Sequence, residues 1–252
     1  MANNADPVEE AKRIVRASTE ARVTLRLMGG LAIRFHCHGP HSEHLRAYHD
    51  IDLLGLNKEF KGINSVFQKL GYSPNSRYNA IYAATRLQFI NQQSDGHVDI
   101  FFDKIRMEHT LDFRDRLHLD NMTIPVTDLL LSKLTIIKLT EKDGKDIVAI
   151  LEDHEIGYND GQEILNLNYL AGLCSDQWGL YKTVTDNLGK MTQFIQQQVS
   201  DINKKKQLFD KLETIQNAIK LSKKTTRWRL RSSIGEKVRW YDVVETGEGE
   251  VQ

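Results

Sequence analysis

The chain has 252 residues, 40% of them hydrophobic and 27% charged, and its 34 basic and 34 acidic side chains cancel at neutral pH. This is the composition of a globular rather than a disordered chain, and no apolar run reaches the roughly 18 residues needed to span a bilayer. Two distant cysteines, Cys37 and Cys174, give no disulfide framework, and Met1 to Asp6 has neither the basic nor the apolar part of a secretory signal, so the expected compartment is the cytoplasm.

In chain order, Asp6-Pro7 offers a capping acid and a proline at the first helical position, and Val8 to about Ala21 reads as a helix. Val23 to Met28 alternates as a first strand, and Gly29-Gly30 turns into a helix running to about His36. Asp50 to Leu56 reads as a second strand, and Glu59 to Leu70 as a helix ended by Gly71. Tyr78 to Ala84, Arg86 to Asn91 and Val98 to Phe102 alternate like strands, with Ser94-Asp95-Gly96 turning between the last two. After Pro125 the period becomes helical, over Thr127–Leu139, Lys145–Leu151, Gln162–Leu173, Gln177–Val199 and Asn203–Leu221. Strands first and helices afterwards predict an α+β fold, a mixed sheet with flanking helices followed by a helical C-terminal half. The expected division is a catalytic unit over 1–125, a helical unit completing the cleft over 126–225, and a tail over 226–252.

Chemistry concentrates in the first half. Side chains on a strand repeat every two residues, so Asp50 and Asp52 share one face while Ile51 and Leu53 take the other. If the strand carrying Asp99 lies alongside, its carboxylate comes within roughly 5 Å across the sheet. Three such acids can hold divalent cations together with substrate phosphate oxygens. Glycine lets a backbone approach closely, and a helix N-terminus favours anions, which suits Gly29 and Gly30 to phosphate binding.

This order of glycine pair, Asp-x-Asp and distant third acid resembles the nucleotidyltransferase superfamily. The resemblance implies that Gly29 and Gly30 lie against nucleotide phosphates and that Asp50, Asp52 and Asp99 bind Mg²⁺ (or Mn²⁺) and carry catalysis. One departure is the nineteen residues from Leu31 to His49 that separate Gly30 from Asp50, longer than is usual in the family. Later, Lys133 sits among Leu129, Leu130, Leu131 and Leu134, and Lys145-Asp146 opens a following helix. This pairing is similar to the AbiEii-type branch of the superfamily, which implies that Lys133 contacts the nucleotide phosphates and that Asp146 and Lys145 complete the pocket.

The expected function is metal-dependent transfer of a nucleoside monophosphate from a nucleoside triphosphate to an acceptor hydroxyl on RNA, protein or a small molecule. By analogy with the AbiEii branch, a toxin with an antitoxin partner is one form of it. The rival is a nucleotide- or RNA-binding module that keeps the fold without turnover. Two segments stay open. His36, Cys37, His38, His41, His44 and His49 place six potential metal ligands within fourteen residues, readable as solvated side chains, a phosphate-facing rim or a zinc site. Lys204 to Arg231 holds ten bases against Asp210 and Glu213, readable as a solvated helix face or as an RNA surface with Trp228 and Trp240 as stacking platforms.

Overall fold

The computed structural model describes residues 6–37, 50–91 and 96–243. Helix α1 (Pro7–Glu20) starts where Asp6 accepts a hydrogen bond from the Val8 amide, with Pro7 in the first turn, and buries Ala11, Ile14 and Val15. Strand β1 (Leu25–Met28) runs into α2 (Gly29–His36), and β2 (Ile51–Gly55) is followed by α3 (Phe60–Lys69) and β3 (Tyr72–Pro74). Helix α4 (Ser76–Tyr82), β4 (Arg86–Asn91) and β5 (His97–Phe102) come next, then the small hairpin β6 (Lys104–Arg106) and β7 (Thr110–Asp112).

Five strands form one sheet in the order β1-β2-β5-β4-β3, with β2 and β5 parallel and the other neighbours antiparallel. The register explains the faces. Leu27, Leu53, Ile100 and Leu87 lie in one row across four strands, and all are fully buried. The neighbouring row, Met28, Asp52, Asp99 and Gln88, faces the other way, because successive residues of a strand alternate. Helix α3 covers the apolar face: Phe67 stacks on Phe89 at 4.2 Å, and Phe60 meets Phe102 at 6.0 Å.

The helical part comprises α5 (Val126–Leu134), α6 (Glu141–Asp153), α7 (Leu167–Asp176), α8 (Trp178–Gln198), α9 (Ile202–Leu221) and α10 (Thr226–Ile234). A two-stranded parallel pair, β8 (Glu155–Gly157) and β9 (Ile164–Asn166), interrupts it. The buried apolar residues form one cluster that runs from Val8 through the sheet and α2 to Ile219 of α9. Helix α2 packs against β1, β2, α5 and α6, so it stands between the sheet and the later helices.

Several elements differ from the sequence expectation, each for a local reason. Tyr78 to Ala84 is not a strand: the Asn75 side chain caps α4 by accepting from the Tyr78 amide, and the edge strand lies earlier, at Tyr72–Pro74. The helix expected from Lys145 begins at Glu141, because Thr140 and Asp143 form a reciprocal capping box. The helix expected over Thr127–Leu139 ends at Leu134, and the one expected over Gln162–Leu173 is preceded by β9 and starts at Leu167. Part of the expected turn at Ser94-Asp95-Gly96 lies outside the described residues. The Thr140 box satisfies two amides at the start of the helix that carries Asp146, so Thr140→Ala is expected to lower unfolding free energy by about 1 kcal/mol. Urea unfolding of the two proteins measures it.

Candidate active site

The strand ends and the turn into α2 assemble the site. Asp52 and Asp99 are direct partners on parallel strands β2 and β5, pointing to the same face, about 5 Å apart at the backbone. Met28 is the partner of Asp52 on the other side, so the chain turns from β1 into α2 beside that carboxylate. Gly29 has φ +67°, and a Cβ there would come within 2.9 Å of Asp52 Oδ2. Any other residue would strain the backbone and displace the acid. Asp52 therefore sits directly against the N-terminal turn of α2, where Gly30 follows. Asp50, the residue before β2, is exposed, and its charge reaches Asp52.

Asp99 is more deeply held. Arg86 Nη2 lies 2.7 Å from its Oδ2, His97 Nε2 lies 3.5 Å from the same oxygen, and Gln88 donates to Oδ1 at 3.2 Å. Arg86 also lies over the Phe101 ring at 4.3 Å, which fixes the guanidinium against β5. Among the described residues no cation pairs with Asp52 in this way. Burial first, and then the charge of Asp99, push it up to about 6, with Arg86 and His97 pulling the other way. A carboxylate crowded by a second carboxylate suits a divalent cation, which Asp50, Asp52 and Asp99 together could hold. Arg86, Gln88 and His97 were missed as site residues in the sequence, although His97 is two residues before Asp99 and thus on its face.

The second motif brings three charges together. Lys133 Nζ lies 3.0 Å from Asp143 Oδ1 and 2.8 Å from Asp146 Oδ2, largely shielded from water. The charge of Asp146 also reaches Cys37, the residue after α2. Lys145 turns outward instead, pairing with Glu141 one helical turn earlier at 2.8 Å. Among the described residues no ion pair joins Lys133 to Asp52 or Asp99.

The histidine run divides. His38, His41, His44 and His49 lie outside the described residues, and His36 turns to residues far along the chain. In the basic segment, Lys211 donates to the carbonyls of Leu151 and His154, and Arg231 to those of Gly235 and Val238. Trp228 packs edge-on against Tyr181, and Trp240 against Trp178 while donating to Thr183. Part of that charge and both rings are thus engaged within the fold.

No protein-family model matches the chain, and no curated protein matches it. Among solved structures, the lincosamide antibiotic adenylyltransferase LnuA, with lincomycin bound, is similar to it at 18% identity and a TM-score of 0.40, over 56% of this chain and 94% of that one. The antibiotic-resistance factor ANT(2'')-Ia is similar at 11% identity and a TM-score of 0.37, over 59% of this chain and 83% of that one. At these scores the likeness assigns this chain neither activity nor substrate.

The crowding of Asp52 has a consequence for stability. Between the ordinary value of 3.8 and about 6, the native state holds a proton that the unfolded chain has released, so stability falls as pH rises through that window. Asp52→Asn keeps the shape and removes the charge. In chelator it is expected to be more stable than the wild type above pH 6, by no more than about 3 kcal/mol, with the two curves merging below pH 4. Thermal melts across pH 3.5 to 8 check this.

Proposed function

We propose that the chain is a metal-dependent nucleotidyltransferase, moving a nucleoside monophosphate from a nucleoside triphosphate to an acceptor hydroxyl. The observation that carries this reading is the in-register Asp52–Asp99 pair with Gly29 packed against Asp52. Glycine at that turn leaves the N-terminal amides of α2 open to an anion. A triphosphate lying there would have its charge beside Asp52, an arrangement that requires a cation between them.

Asp50 and Asp52 would hold Mg²⁺ or Mn²⁺ on the triphosphate, with Asp99 as the third ligand. When bound, the cation neutralises phosphate charge and stabilises the pyrophosphate leaving group. The chain's own part follows from placement. Gly29 and Gly30 orient the phosphates. The acceptor oxygen attacks the α-phosphorus, the bond to pyrophosphate breaks, and Asp99 takes the acceptor's proton. Lys133 orients Asp146 and closes the pocket wall beside α2, since its ammonium already has two carboxylates. Lys145, on the surface with Glu141, is left out of the pocket.

One observation favours a second reading. The Arg86 guanidinium occupies Asp99 Oδ2 at 2.7 Å, as it would in a nucleotide-binding module that has no turnover. The two readings separate in one assay. Each labelled triphosphate is incubated with the protein, Mg²⁺ or Mn²⁺, and in turn total RNA, lysate protein and a small-molecule pool, and both pyrophosphate and labelled product are measured. Transfer is expected, with one acceptor class gaining label. Asp52→Asn and Asp99→Asn are each expected to reduce the rate by at least about a hundredfold. Triphosphate binding without pyrophosphate release from any acceptor would instead establish the binding module. An RNA acceptor would bring affinity that falls steeply with salt. An antitoxin partner, in the toxin form of this reading, would suppress transfer when added.

A further inference from the structure

Three ligand-type side chains, distant in sequence, meet at the end of α2 opposite the glycine pair. His36 closes α2, His154 follows the last turn of α6, and Glu163 precedes β9; one ligand atom from each lies within 4.8 Å of the others. Glu163 Oε1 is 3.0 Å from His36 Nδ1, and its Oε2 is 2.8 Å from His154 Nε2. The two imidazoles are 2% and 1% exposed, whereas Glu163 is 56% exposed, so the cluster is walled on the histidine side and open on the carboxylate side.

The outer nitrogens are held. His154 Nδ1 lies 2.8 Å from the Ile150 carbonyl, which can only accept, so Nδ1 carries the proton and the Nε2 of a neutral ring presents a lone pair. Among the described residues that buried Nε2 has no hydrogen-bond partner, although a carboxylate oxygen stands 2.8 Å away. A neutral imidazole nitrogen that close to a carboxylate oxygen is repelled unless a proton or a metal ion lies between them. In His36, Nε2 lies 2.6 Å from Thr123 Oγ1, and Nδ1 is hydrogen-bonded to Glu163 Oε1 at 3.0 Å. A histidine that ligates a metal through one ring nitrogen usually has the other held by an oxygen, as both rings do here.

We propose that His36 Nδ1, His154 Nε2 and the Glu163 carboxylate form a binding site for one divalent transition-metal ion of the zinc class, with a fourth position open to water. Two imidazoles and one carboxylate suit zinc, whereas Mg²⁺ takes oxygen ligands. A tetrahedral ion with bonds of about 2.1 Å sets its ligand atoms about 3.4 Å apart. Glu163 therefore has to withdraw by about half an ångström, and its exposure leaves room for that. The ligands come from α2, the end of α6 and the segment before β9, so the ion fastens the helix that starts at Gly29 to the later helices. The site shares no residue with the Asp52–Asp99 centre.

The test is zinc titration of chelator-stripped protein against a chromophoric chelator, with Mg²⁺ in large excess to occupy the carboxylate centre. The wild type is expected to take up one equivalent, with its melting temperature rising with zinc concentration. Glu163→Gln, at an exposed position, is expected to keep the metal-free melting temperature and weaken zinc binding at least tenfold; His154→Gln is expected to weaken it at least as much. Spectra of the cobalt-substituted wild type should show low-symmetry, four-coordinate bands that Glu163→Gln loses. No stoichiometric uptake by the wild type would overturn the site and leave an imidazolium–carboxylate pair. Uptake unchanged in both variants would equally overturn it, placing the zinc on other residues.

Discussion

Two carboxylates side by side on adjacent parallel strands are the constraint on which the rest of the site depends. The pairing of β2 with β5 puts Asp52 opposite Asp99, and among the described residues no cation pairs with Asp52. Burial first, and then the neighbouring charge of Asp99, raise the cost of ionising Asp52 and push it up to about 6. Apolar side chains do not relieve that cost, since they remove water without supplying charge. Arg86 relieves Asp99 from one side. On the other side, the turn at Gly29 brings a helix N-terminus instead of a side chain against Asp52.

Helix α2 gathers these effects. It is eight residues long, and it packs against the sheet on one side and α5 and α6 on the other. Its first residue requires the left-handed conformation next to Asp52, and its last carries the imidazole that meets Glu163 and Thr123. The buried faces of Leu31, Ala32 and Ile33 tie these ends to one apolar cluster, so a change at either end is felt by the same packed element. The Lys133–Asp143–Asp146 cluster fixes α5 to α6 on the later side of the same helix.

What could be read from the sequence followed local periodicity. Asp50-Ile51-Asp52-Leu53 states its own facing, and the glycine pair after an alternating run states a turn into a helix. The pairing of Asp52 with Asp99 could only be conditional there, because strand adjacency depends on a crossover that no local pattern encodes. Tyr78 to Ala84 resembled a strand because a short apolar alternation fits both periods; the cap at Asn75, a side chain to amide bond three residues long, decided for the helix. The Thr140–Asp143 box was a readable signal that moved the start of α6 four residues earlier. The histidines differ: closeness in sequence groups His36 with His38 to His49, whereas the hydrogen-bond partners of His36 among the described residues are Thr123 and Glu163, brought in by the packing of α2 on the later helices.

The central claim is that Asp52, with Asp99 beside it, holds a divalent cation together with a triphosphate. Electron paramagnetic resonance of Mn²⁺ tests it most directly, titrated into the wild type and into Asp52→Asn with and without a non-hydrolysable nucleoside triphosphate, after zinc has been added to fill any imidazole site. The account predicts a protein-bound Mn²⁺ population in the wild type that strengthens when the triphosphate is present and largely disappears in Asp52→Asn. Equal Mn²⁺ binding by the two proteins, with the triphosphate present, would contradict it.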